Sequence, residues 1–272
     1  MCVFVRSWLR LFANERRMKI MEMLEQTGSV TVAELVKLFH VSTETVRRDL
    51  EYLEKRQALK RVHGGAVSFK KMKAFARLEL RMTENRELKR YLSGIAASFI
   101  QEHDTIAIDS GSTAMEFVPF LKEQFRHLTV VTNSPDVFAA LSDQAGFELI
   151  LIGGQYLREE RAFYGHMALD AVSRLHFSKS FVFPSAISLR YGVSMHVHEL
   201  FDIQRVLIRN ADEVFILADS SKFEQSAPII LCDLSPSFKI ITDHQLSDHL
   251  ASLYKKKGLT VIRQLHEIKF AE

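Results

Sequence analysis

Residues 31–49 read TVAELVKLFHVSTETVRRD, two short amphipathic segments on either side of His40-Val41. Apolar side chains of the first segment recur at the i, i+3, i+4, i+7 spacing of one helix face: Val32, Leu35, Val36 and Phe39. Ser42 then occupies an N-cap position, and a second apolar row follows at helical spacing: Val46, Leu50 and Leu53. Two short helices with a tight break between them predict a helix-turn-helix.

Hydroxyl and charged side chains gather at the N-terminal end of the second helix, off its apolar face. The set comprises Ser42, Thr43, Glu44, Thr45, Arg47 and Arg48. A helix of this kind enters the major groove with its N-terminal side chains at base edges and its arginines at phosphates. We therefore expect Thr43, Glu44 and Thr45 to read bases and the two arginines to bind the DNA backbone. A helical hairpin on the surface of an enzyme shows the same alternation of faces, so this segment alone leaves that alternative open.

A basic hairpin is predicted directly after the second helix. Residues 58–67 read ALKRVHGGAV, two short strand-like runs around a Gly-Gly turn. A helix-turn-helix followed by such a hairpin is a winged helix. The wing is expected to place four residues against the DNA backbone or minor groove: Lys60, Arg61, His63 and Gly64.

The charge of the chain is distributed unevenly. Residues 1–75 contain 15 Lys and Arg against 8 Asp and Glu, whereas residues 76–272 contain 21 against 25. The first part therefore carries a net charge of +7 and the second a net charge of −4. A basic N-terminal part on a mildly acidic body favours a phosphate polymer, double-stranded DNA, as the partner of the first part alone.

Composition narrows the class of protein further. The two cysteines, Cys2 and Cys232, are far apart and lack metal-ligand spacing, which argues against a disulfide framework or a zinc site and for a reducing cytoplasm. No apolar run reaches the ~18 residues that a membrane helix requires. Residues 1–13 are interrupted by Arg6 and Arg10, and we interpret them as an irregular extension or a misassigned start rather than a signal peptide. We expect a cytoplasmic protein without a membrane segment, metal or cofactor.

The remainder of the chain alternates strand, loop and helix. Seven β-rich apolar runs are found at 105–109, 128–134, 148–154, 179–183, 213–219, 238–243 and 259–262. A helix from about residue 84 is expected to bury Leu88, Tyr91, Leu92, Ile95, Ala96 and Phe99. Such alternation is typical of a largely parallel sheet covered on both faces. The fold class is α/β, divided into a winged helix-turn-helix at 14–68, a linker at 69–83 and a larger α/β domain at 84–272.

Four loops at the carboxyl ends of these strands share one chemistry. They contain Asp109, Ser110, Gly111, Ser112 and Thr113; Thr132, Asn133 and Ser134; Gly153 and Gly154; and Asp219 and Lys222. Ligands of open α/β sheets bind at this edge, where glycines, hydroxyls and helix N-termini suit an anion. An ordinary N-cap or tight turn explains each loop taken singly. Because four such loops coincide, we predict a site for a phosphate that bears a short polyol.

These residues match a known family along residues 15–243. The chain resembles the DeoR-type bacterial transcriptional regulators in Val41-Ser42, in residues 45–50 (TVRRDL) and in residues 61–66 (RVHGGA). The resemblance continues through residues 109–113 (DSGST), 131–134 (VTNS) and 217–223 (LADSSKF). It implies a winged helix-turn-helix joined to a sensor domain related in fold to sugar-phosphate isomerases. It also implies a homo-oligomer, dimer or tetramer, that represses sugar or polyol genes and responds to a phosphorylated sugar.

One segment departs from the family pattern. Where the family usually has Gly-x-Ser-Gly-Ile-Asp after a strand, residues 183–188 read FPSAIS. Both glycines and the aspartate are replaced, which is expected to narrow or reshape the effector pocket. Nearby, His196 and His198 would share one face of a strand, and with Glu199 they raise a metal site as an alternative to pocket-lining or surface histidines.

Two other functions remain open from the sequence. One is a sugar-phosphate isomerase, with Asp219 or Asp109 as general base and Lys222 as a clamp for phosphate or enolate. The missing carboxylate in residues 183–188 and the winged helix argue against an enzyme. The other is a DNA-binding regulator whose altered pocket responds to a protein partner instead of a metabolite.

Overall fold

A computed structural model describes residues 13–27, 29–56, 58–62, 64–68 and 77–264. They belong to two compact units that meet in sequence between Phe75 and Ala76. The N-terminal unit contains helices α1 (Ala13–Thr27), α2 (Val32–Phe39) and α3 (Thr43–Lys55), and strands β1 (Ser29–Thr31), β2 (Leu59–Val62) and β3 (Gly65–Ser68). The strands form an antiparallel sheet in the order β1-β3-β2.

The core of the N-terminal unit is assembled from the apolar rows that the sequence displays. Its fully buried side chains come from all three helices and the first wing strand: Ile20, Leu24, Leu35, Val46, Leu50 and Leu59. The side chain of Met18 in α1 is 62% exposed and lies outside this core. A capping box between Thr31 and Glu34 starts α2, and the left-handed conformation of His40 ends it. These two signals fix the turn that separates α2 from α3.

The C-terminal unit is an α/β domain. Its helices are α4 (Leu78–Thr83), α5 (Arg86–Ala97), α6 (Ser112–Gln124), α7 (Pro135–Leu141), α8 (His166–Ser173), α9 (Phe201–Arg209) and α10 (Asp248–Lys256). Its strands are β4 (Thr105–Ile108), β5 (Thr129–Thr132), β6 (Glu148–Leu151), β7 (Gln155–Leu157), β8 (Ala162–Tyr164), β9 (Phe177–Val182), β10 (Ala186–Ser188), β11 (Gly192–Met195), β12 (Ala211–Leu217), β13 (Ile229–Cys232), β14 (Phe238–Ile241) and β15 (Thr260–Ile262).

A seven-stranded sheet forms the centre of this unit, in the order β15-β14-β12-β9-β4-β5-β6. Every pairing in it is parallel, and its members are the seven runs predicted from the sequence. Helices α5, α6 and α7 bury Leu92, Phe117 and Val137 in one apolar cluster. Helices α8, α9 and α10 bury Ala168, Ile203 and Tyr254 in a second one. The sheet is therefore covered on both faces, as its apolar strands require.

Two small sheets complete the unit. Strands β7 and β8 form a hairpin, and β10, β11 and β13 form an antiparallel sheet. Residues 183–188 lead from the end of β9 into β10. No helix of the described chain is long and apolar enough to cross a membrane.

Two features near the start of the unit differ from expectation. Residues 78–83 were assigned to the linker, yet they form α4 and bury Leu78; residues 69–76 lie outside the described chain. In α5, Tyr91 is 38% exposed whereas Lys89 and Ser93 are buried. The buried face of α5 therefore includes two polar side chains. Lys89 can be buried because it donates hydrogen bonds inside the fold, as described below.

Candidate DNA interface and effector site

The N-terminal end of α3 presents its polar side chains to solvent. Ser42 caps the helix, since its hydroxyl accepts a 3.2 Å hydrogen bond from the backbone N–H of Thr45. Four side chains beyond the cap are exposed: Thr43, Glu44, Arg47 and Arg48. Thr45 is half-buried. The structure thus groups the six predicted residues on one exposed turn of helix.

The two arginines of this turn differ in their surroundings. Arg48 Nε lies 3.2 Å from Glu44 Oε1, in an ion pair whose side chains are 76% and 63% exposed. Such a solvent-exposed pair contributes at most about 1 kcal/mol, so Arg48 is released easily. Arg47 has no ion-pair partner among the described residues, and its charge is available for a phosphate.

A buried carboxylate that sequence reasoning missed anchors α3. Asp49 is 2% exposed, and its two oxygens lie 2.7 Å from Arg16 and 2.8 Å from Arg17 of α1. The guanidinium of Arg17 also lies 3.7 Å from the centre of the Tyr52 ring. The signal in the sequence was an aspartate at a buried spacing between Val46 and Leu53. These contacts fix the orientation of α3 against α1.

The wing depends on two consecutive glycines. Gly64 has a φ of +81°, and its carbonyl accepts a 2.7 Å hydrogen bond from the N–H of Val32. A Cβ on Gly65 would lie 2.1 Å from the carbonyl oxygen of Val30, so only glycine allows β3 to approach β1 this closely. Arg61 is exposed, and Lys60 belongs to β2. His63 lies outside the described residues.

In the C-terminal unit, a buried aspartate follows β4. Asp109 is fully buried and accepts hydrogen bonds from the N–H of Ser110 at 2.8 Å and from Gln204 Nε2 at 2.7 Å. The backbone N–H of Phe183 donates to the same carboxyl group. Burial raises the pKa of Asp109 to about 7, against these hydrogen bonds, which lower it. Burial thus favours the protonated form of Asp109, whereas the hydrogen bonds that it accepts favour the carboxylate.

The loop after Asp109 ends in an uncapped helix N-terminus. Gly111 has a φ of +134° and precedes α6 without a side-chain cap. Ser110, Ser112 and Thr113 are buried around it. The first backbone amides of a helix lack intrahelical partners and favour an anion. The N–H of Ser110 is bound to Asp109, whereas no side chain caps the first amides of α6 at the sheet edge.

The next two loops have structural roles as well. Ser134 caps α7, and Asn133 Nδ2 donates to the carbonyl oxygen of Phe163 at 3.1 Å. Thr132 Oγ1 accepts from the N–H of Ser134 at 3.1 Å. Gly153 and Gly154 follow β6; a Cβ on Gly154 would lie 2.5 Å from the carbonyl oxygen of Tyr164. Gly154 is thus packed tightly against Tyr164, whereas a Cβ on Gly153 would meet no atom within 4 Å.

The loop after β12 holds a partly buried lysine. Asp219 caps a 3-10 turn at Ser220–Lys222 by accepting from the N–H of Ser221, and Asn85 Nδ2 donates to it at 3.3 Å. Lys222 Nζ donates to the carbonyl oxygen of Pro184 at 2.9 Å. Burial lowers the pKa of Lys222 to about 8, although Asp219 acts in the opposite direction.

Two further cationic side chains lie at the same edge and were missed from the sequence. Lys89 of α5 is 3% exposed and donates to the carbonyl oxygens of Arg81 and, at 2.6 Å, Glu84; burial lowers its pKa. The side chain of Arg81 pairs with the buried carboxylate of Glu160. Lys89 Nζ is hydrogen-bonded to the carbonyl oxygen of Arg81, and the charges of Lys89 and Arg81 both act to lower the pKa of Lys222. We call Arg81, Lys89 and Lys222 the cation cluster.

Residues 183–188, which depart from the family pattern, lie against this cluster. Phe183 is 8% exposed and packs in the apolar cluster beneath α5 and α6, and Pro184 supplies the acceptor for Lys222. Ser185 Oγ accepts from the N–H of His196 at 3.2 Å. The segment thus contributes main-chain groups and apolar bulk, rather than a carboxylate, to the edge.

The two histidines do not share a strand face. His196 follows the end of β11, and His198 begins a 3-10 turn. Burial lowers the pKa of His196 to about 4, and the charges of Arg81 and Lys222 act in the same direction. Among the described residues, no group of three His, Cys, Asp or Glu side chains is arranged to hold a metal ion.

Comparison with known families covers both units. Residues 16–72 match the DeoR-like helix-turn-helix domain, and residues 84–244 match the DeoR C-terminal sensor domain. Similarity to a solved ribose 5-phosphate isomerase from Methanocaldococcus jannaschii is weak, with 16% identity, coverage of 52% of this chain and 55% of that one, and a TM-score of 0.38. We draw nothing from that likeness.

Curated relatives align along nearly the whole chain. The lactose phosphotransferase system repressor of Lactococcus lactis is 34% identical, over 86% of this chain and 92% of that protein. The L-fucose operon activator of Haemophilus influenzae is 33% identical, over 92% and 99%. The regulator IolR of Bacillus subtilis is 32% identical, over 85% and 92%. The chain therefore belongs to the DeoR family, and it is a DNA-binding transcriptional regulator rather than an enzyme.

Proposed function

We propose that this regulator represses a sugar or polyol catabolic operon and that a phosphorylated sugar or polyol, bound at the carboxyl edge of the seven-stranded sheet, alters its grip on DNA. The names of relatives support the class of genes, since one is a repressor of a lactose phosphotransferase system and another an activator of an L-fucose operon. In this proposal the exposed turn at the start of α3 reads the operator, with Arg47 and Arg48 on phosphates and Thr43 among the base contacts. The wing residues Lys60, Arg61, His63 and Gly64 contact the adjoining backbone.

The effector proposal rests on the hydrogen-bond partners of two lysines. Lys89 and Lys222 donate to main-chain carbonyls, and neither forms an ion pair with a described carboxylate. A carbonyl satisfies a donor but does not neutralise a charge, and burial lowers the pKa of both lysines although the charge of Asp219 acts in the opposite direction on each. A phosphate monoester supplies the missing charge, and the uncapped N-terminus of α6 offers further donors.

Lys89 also connects this site with the chain that leads to the DNA-binding unit. Its two acceptors, the carbonyl oxygens of Arg81 and Glu84, belong to α4 and the residue that follows it. This helix is the first described element after the linker. We propose that a phosphate which recruits Lys89 and Arg81 weakens these contacts, and thereby changes the affinity for DNA through a difference in effector affinity between two states.

Operator binding is proposed to involve a homo-oligomer, either a dimer or a tetramer. Winged and helix-turn-helix proteins commonly recognise two half-sites that are spaced by one or more turns of the double helix. Sedimentation of the full-length protein with and without a two-half-site DNA tests this part of the proposal. A protein that stays monomeric on its operator contradicts it.

Calorimetry with the full-length protein tests effector binding directly. Wild type is titrated with inorganic phosphate and with a panel of pentose, hexose and polyol monophosphates, and the same titrations are made with Lys222→Gln and Lys89→Gln. Lys122→Gln is the matched control, because Lys122 also donates to a main-chain carbonyl, that of Ala140, but lies on α6 away from the cation cluster. Binding that is lost in the two cluster variants and retained in the control supports the proposal. Failure of every phosphate compound to bind the wild type refutes it and favours a protein partner instead.

A further inference from the structure

Two buried amide oxygens at the sheet edge accept no hydrogen bond from any described residue. They are Gln204 Oε1 on α9, whose residue is 5% exposed, and Asn133 Oδ1 after β5, whose residue is 2% exposed. The orientation of each amide is set by its partner. When Asp109 is ionised, Gln204 turns its Nε2 to that carboxylate, because a carboxylate can only accept. Asn133 turns its Nδ2 to the carbonyl oxygen of Phe163, which is an acceptor at any pH. The amide oxygens are therefore the atoms left without a donor.

Gln204 and Asn133 both lie next to Asp109. Asp109 follows Ile108 of β4, and Asn133 follows Thr132 of β5; these two strand residues are paired in the parallel ladder. Adjacent strands lie about 4.8 Å apart, so Asp109 and Asn133 are next to one another at the edge. Gln204 contacts Asp109 directly at 2.7 Å. We call Asp109, Asn133 and Gln204 the acceptor row.

The strand order gives the approximate distance between the acceptor row and Lys222. Lys222 follows β12, whereas the row follows β4 and β5, and one strand, β9, separates β12 from β4. Two strand spacings correspond to about 10 Å between the ends of β12 and β4. Glu160 links the two regions, because its carboxylate pairs with Arg81 and its charge acts on Asp109. The edge is thus cationic at one end and rich in acceptors at the other.

The chemistry of the acceptor end selects what it can bind. A buried acceptor without a donor is destabilising, and a ligand hydroxyl or N–H group relieves it. A carboxylate or second phosphate brings only more acceptors and more negative charge next to Asp109 and Glu160. A neutral chain of hydroxyl groups brings the donors that are missing.

Resting on the proposed function, we propose that the acceptor row of Asp109, Asn133 and Gln204 determines which effector binds. It selects a phosphate monoester whose far end is a neutral, hydrogen-donating polyol or sugar chain. Phosphorylated sugar acids and bisphosphates of the same length are rejected. The cation cluster binds the phosphate, and the acceptor row accepts hydrogen bonds from the other end of the ligand.

Paired ligands and paired variants test this inference in calorimetric titrations of the full-length protein. The probes are inorganic phosphate, pentitol and hexitol monophosphates, and the aldonic acid monophosphates and bisphosphates of equal length. Gln204→Met and Asn133→Leu remove the acceptors while keeping the approximate volume. Ser180→Ala is the control, since Ser180 Oγ is also buried without a partner but lies within β9, away from its end. Thermal unfolding of each variant confirms that the fold is intact.

We expect at least one polyol monophosphate to bind about tenfold more tightly than inorganic phosphate and than its acid or bisphosphate counterpart. Both acceptor variants should lose that advantage and keep the affinity for inorganic phosphate, whereas Ser180→Ala should behave as wild type. Equal binding of polyol and acid phosphates, or wild-type selectivity in both variants, overturns the inference and leaves the proposed function standing. Failure of all phosphate compounds to bind overturns the proposed function and the inference with it.

Discussion

Lys222 Nζ donates a 2.9 Å hydrogen bond to the carbonyl oxygen of Pro184. This contact joins the cation of the loop after β12 to the segment in which the chain departs from the pattern of its family. The acceptor that holds this lysine is therefore neutral. A phosphate must compete with Pro184 for this group, and the outcome depends on the protonation of Lys222.

The affinity for a phosphate monoester should fall as the pH rises through about 8. Burial lowers the pKa of Lys222 to about 8, so the free protein loses this charge above that pH, whereas an anion favours the protonated form. Lys89, whose pKa burial also lowers, acts in the same direction. Titrations at several pH values on either side of 8 measure the effect. Lys222→Arg, which stays charged, should show a shallower fall; a profile identical to that of wild type contradicts a role for Lys222.

The stability of the C-terminal unit should depend on the protonation of Asp109. Burial raises its pKa from 3.8 to about 7, so between these pH values the folded protein holds a proton that the unfolded chain has released. The free energy of unfolding therefore decreases with rising pH across this window, by at most about 1.4 kcal/mol per pH unit for one proton. Urea unfolding at a series of pH values measures the slope. Asp109→Asn removes the titrating group and should reduce it; an unchanged slope rules out Asp109 as its source.

Arg47→Ala should weaken DNA binding with little dependence on sequence. The side chain is exposed on the first turns of α3, where it can neutralise one phosphate. Loss of one phosphate contact reduces the slope of log affinity against log salt by about 1. Fluorescence anisotropy at several salt concentrations gives this slope. Lys55→Ala is the control, because Lys55 is a cation at the opposite end of the same helix, paired with Glu51 at 2.8 Å. Equal effects of the two substitutions would place the DNA surface elsewhere.

Asp49→Ala should destabilise the N-terminal unit by about 3 kcal/mol, because it leaves two partly buried arginines without their carboxylate. Glu51→Ala removes an exposed carboxylate, that of an ion pair within α3, and should leave the free energy of unfolding nearly unchanged. Chemical denaturation followed by helix circular dichroism distinguishes the two. Similar small losses in both variants mean that Asp49 does not anchor α3.

Much of this architecture was predictable because local pattern and tertiary packing agree. Val46, Leu50 and Leu53 recur at helical spacing, and all three are buried beneath α3. The seven apolar runs of the C-terminal part are continuous because parallel strands are covered on both faces, and each became a strand of the central sheet. The family was likewise identified from its motifs, and the matches to both of its domains confirm it.

The parts that escaped prediction are those where tertiary contacts override local pattern. Helix α4 has six residues and carries charged side chains, so no apolar period marks it, and Arg81 was assigned to a linker. Lysine is seldom buried, yet two main-chain carbonyls accept hydrogen bonds from Lys89 inside the fold, and no local pattern marks this burial. Strands β10 and β13 have only three or four residues each, and both pair with β11. The paired residues lie up to 39 positions apart in the sequence. A local sequence pattern therefore does not reveal them.

Our central proposal is that binding of a phosphate ester at the sheet edge changes the affinity of the same molecule for DNA at α3. The most direct test measures binding of the full-length protein to the DNA upstream of its own gene, by anisotropy across a salt series, with and without the phosphate ester that binds most tightly. We predict that the wild type binds this DNA specifically and in a salt-sensitive manner, and that the ester weakens this binding. In Lys222→Gln the ester should leave DNA binding unaltered. Specific binding that the ester changes equally in wild type and Lys222→Gln, or does not change in either, would contradict it.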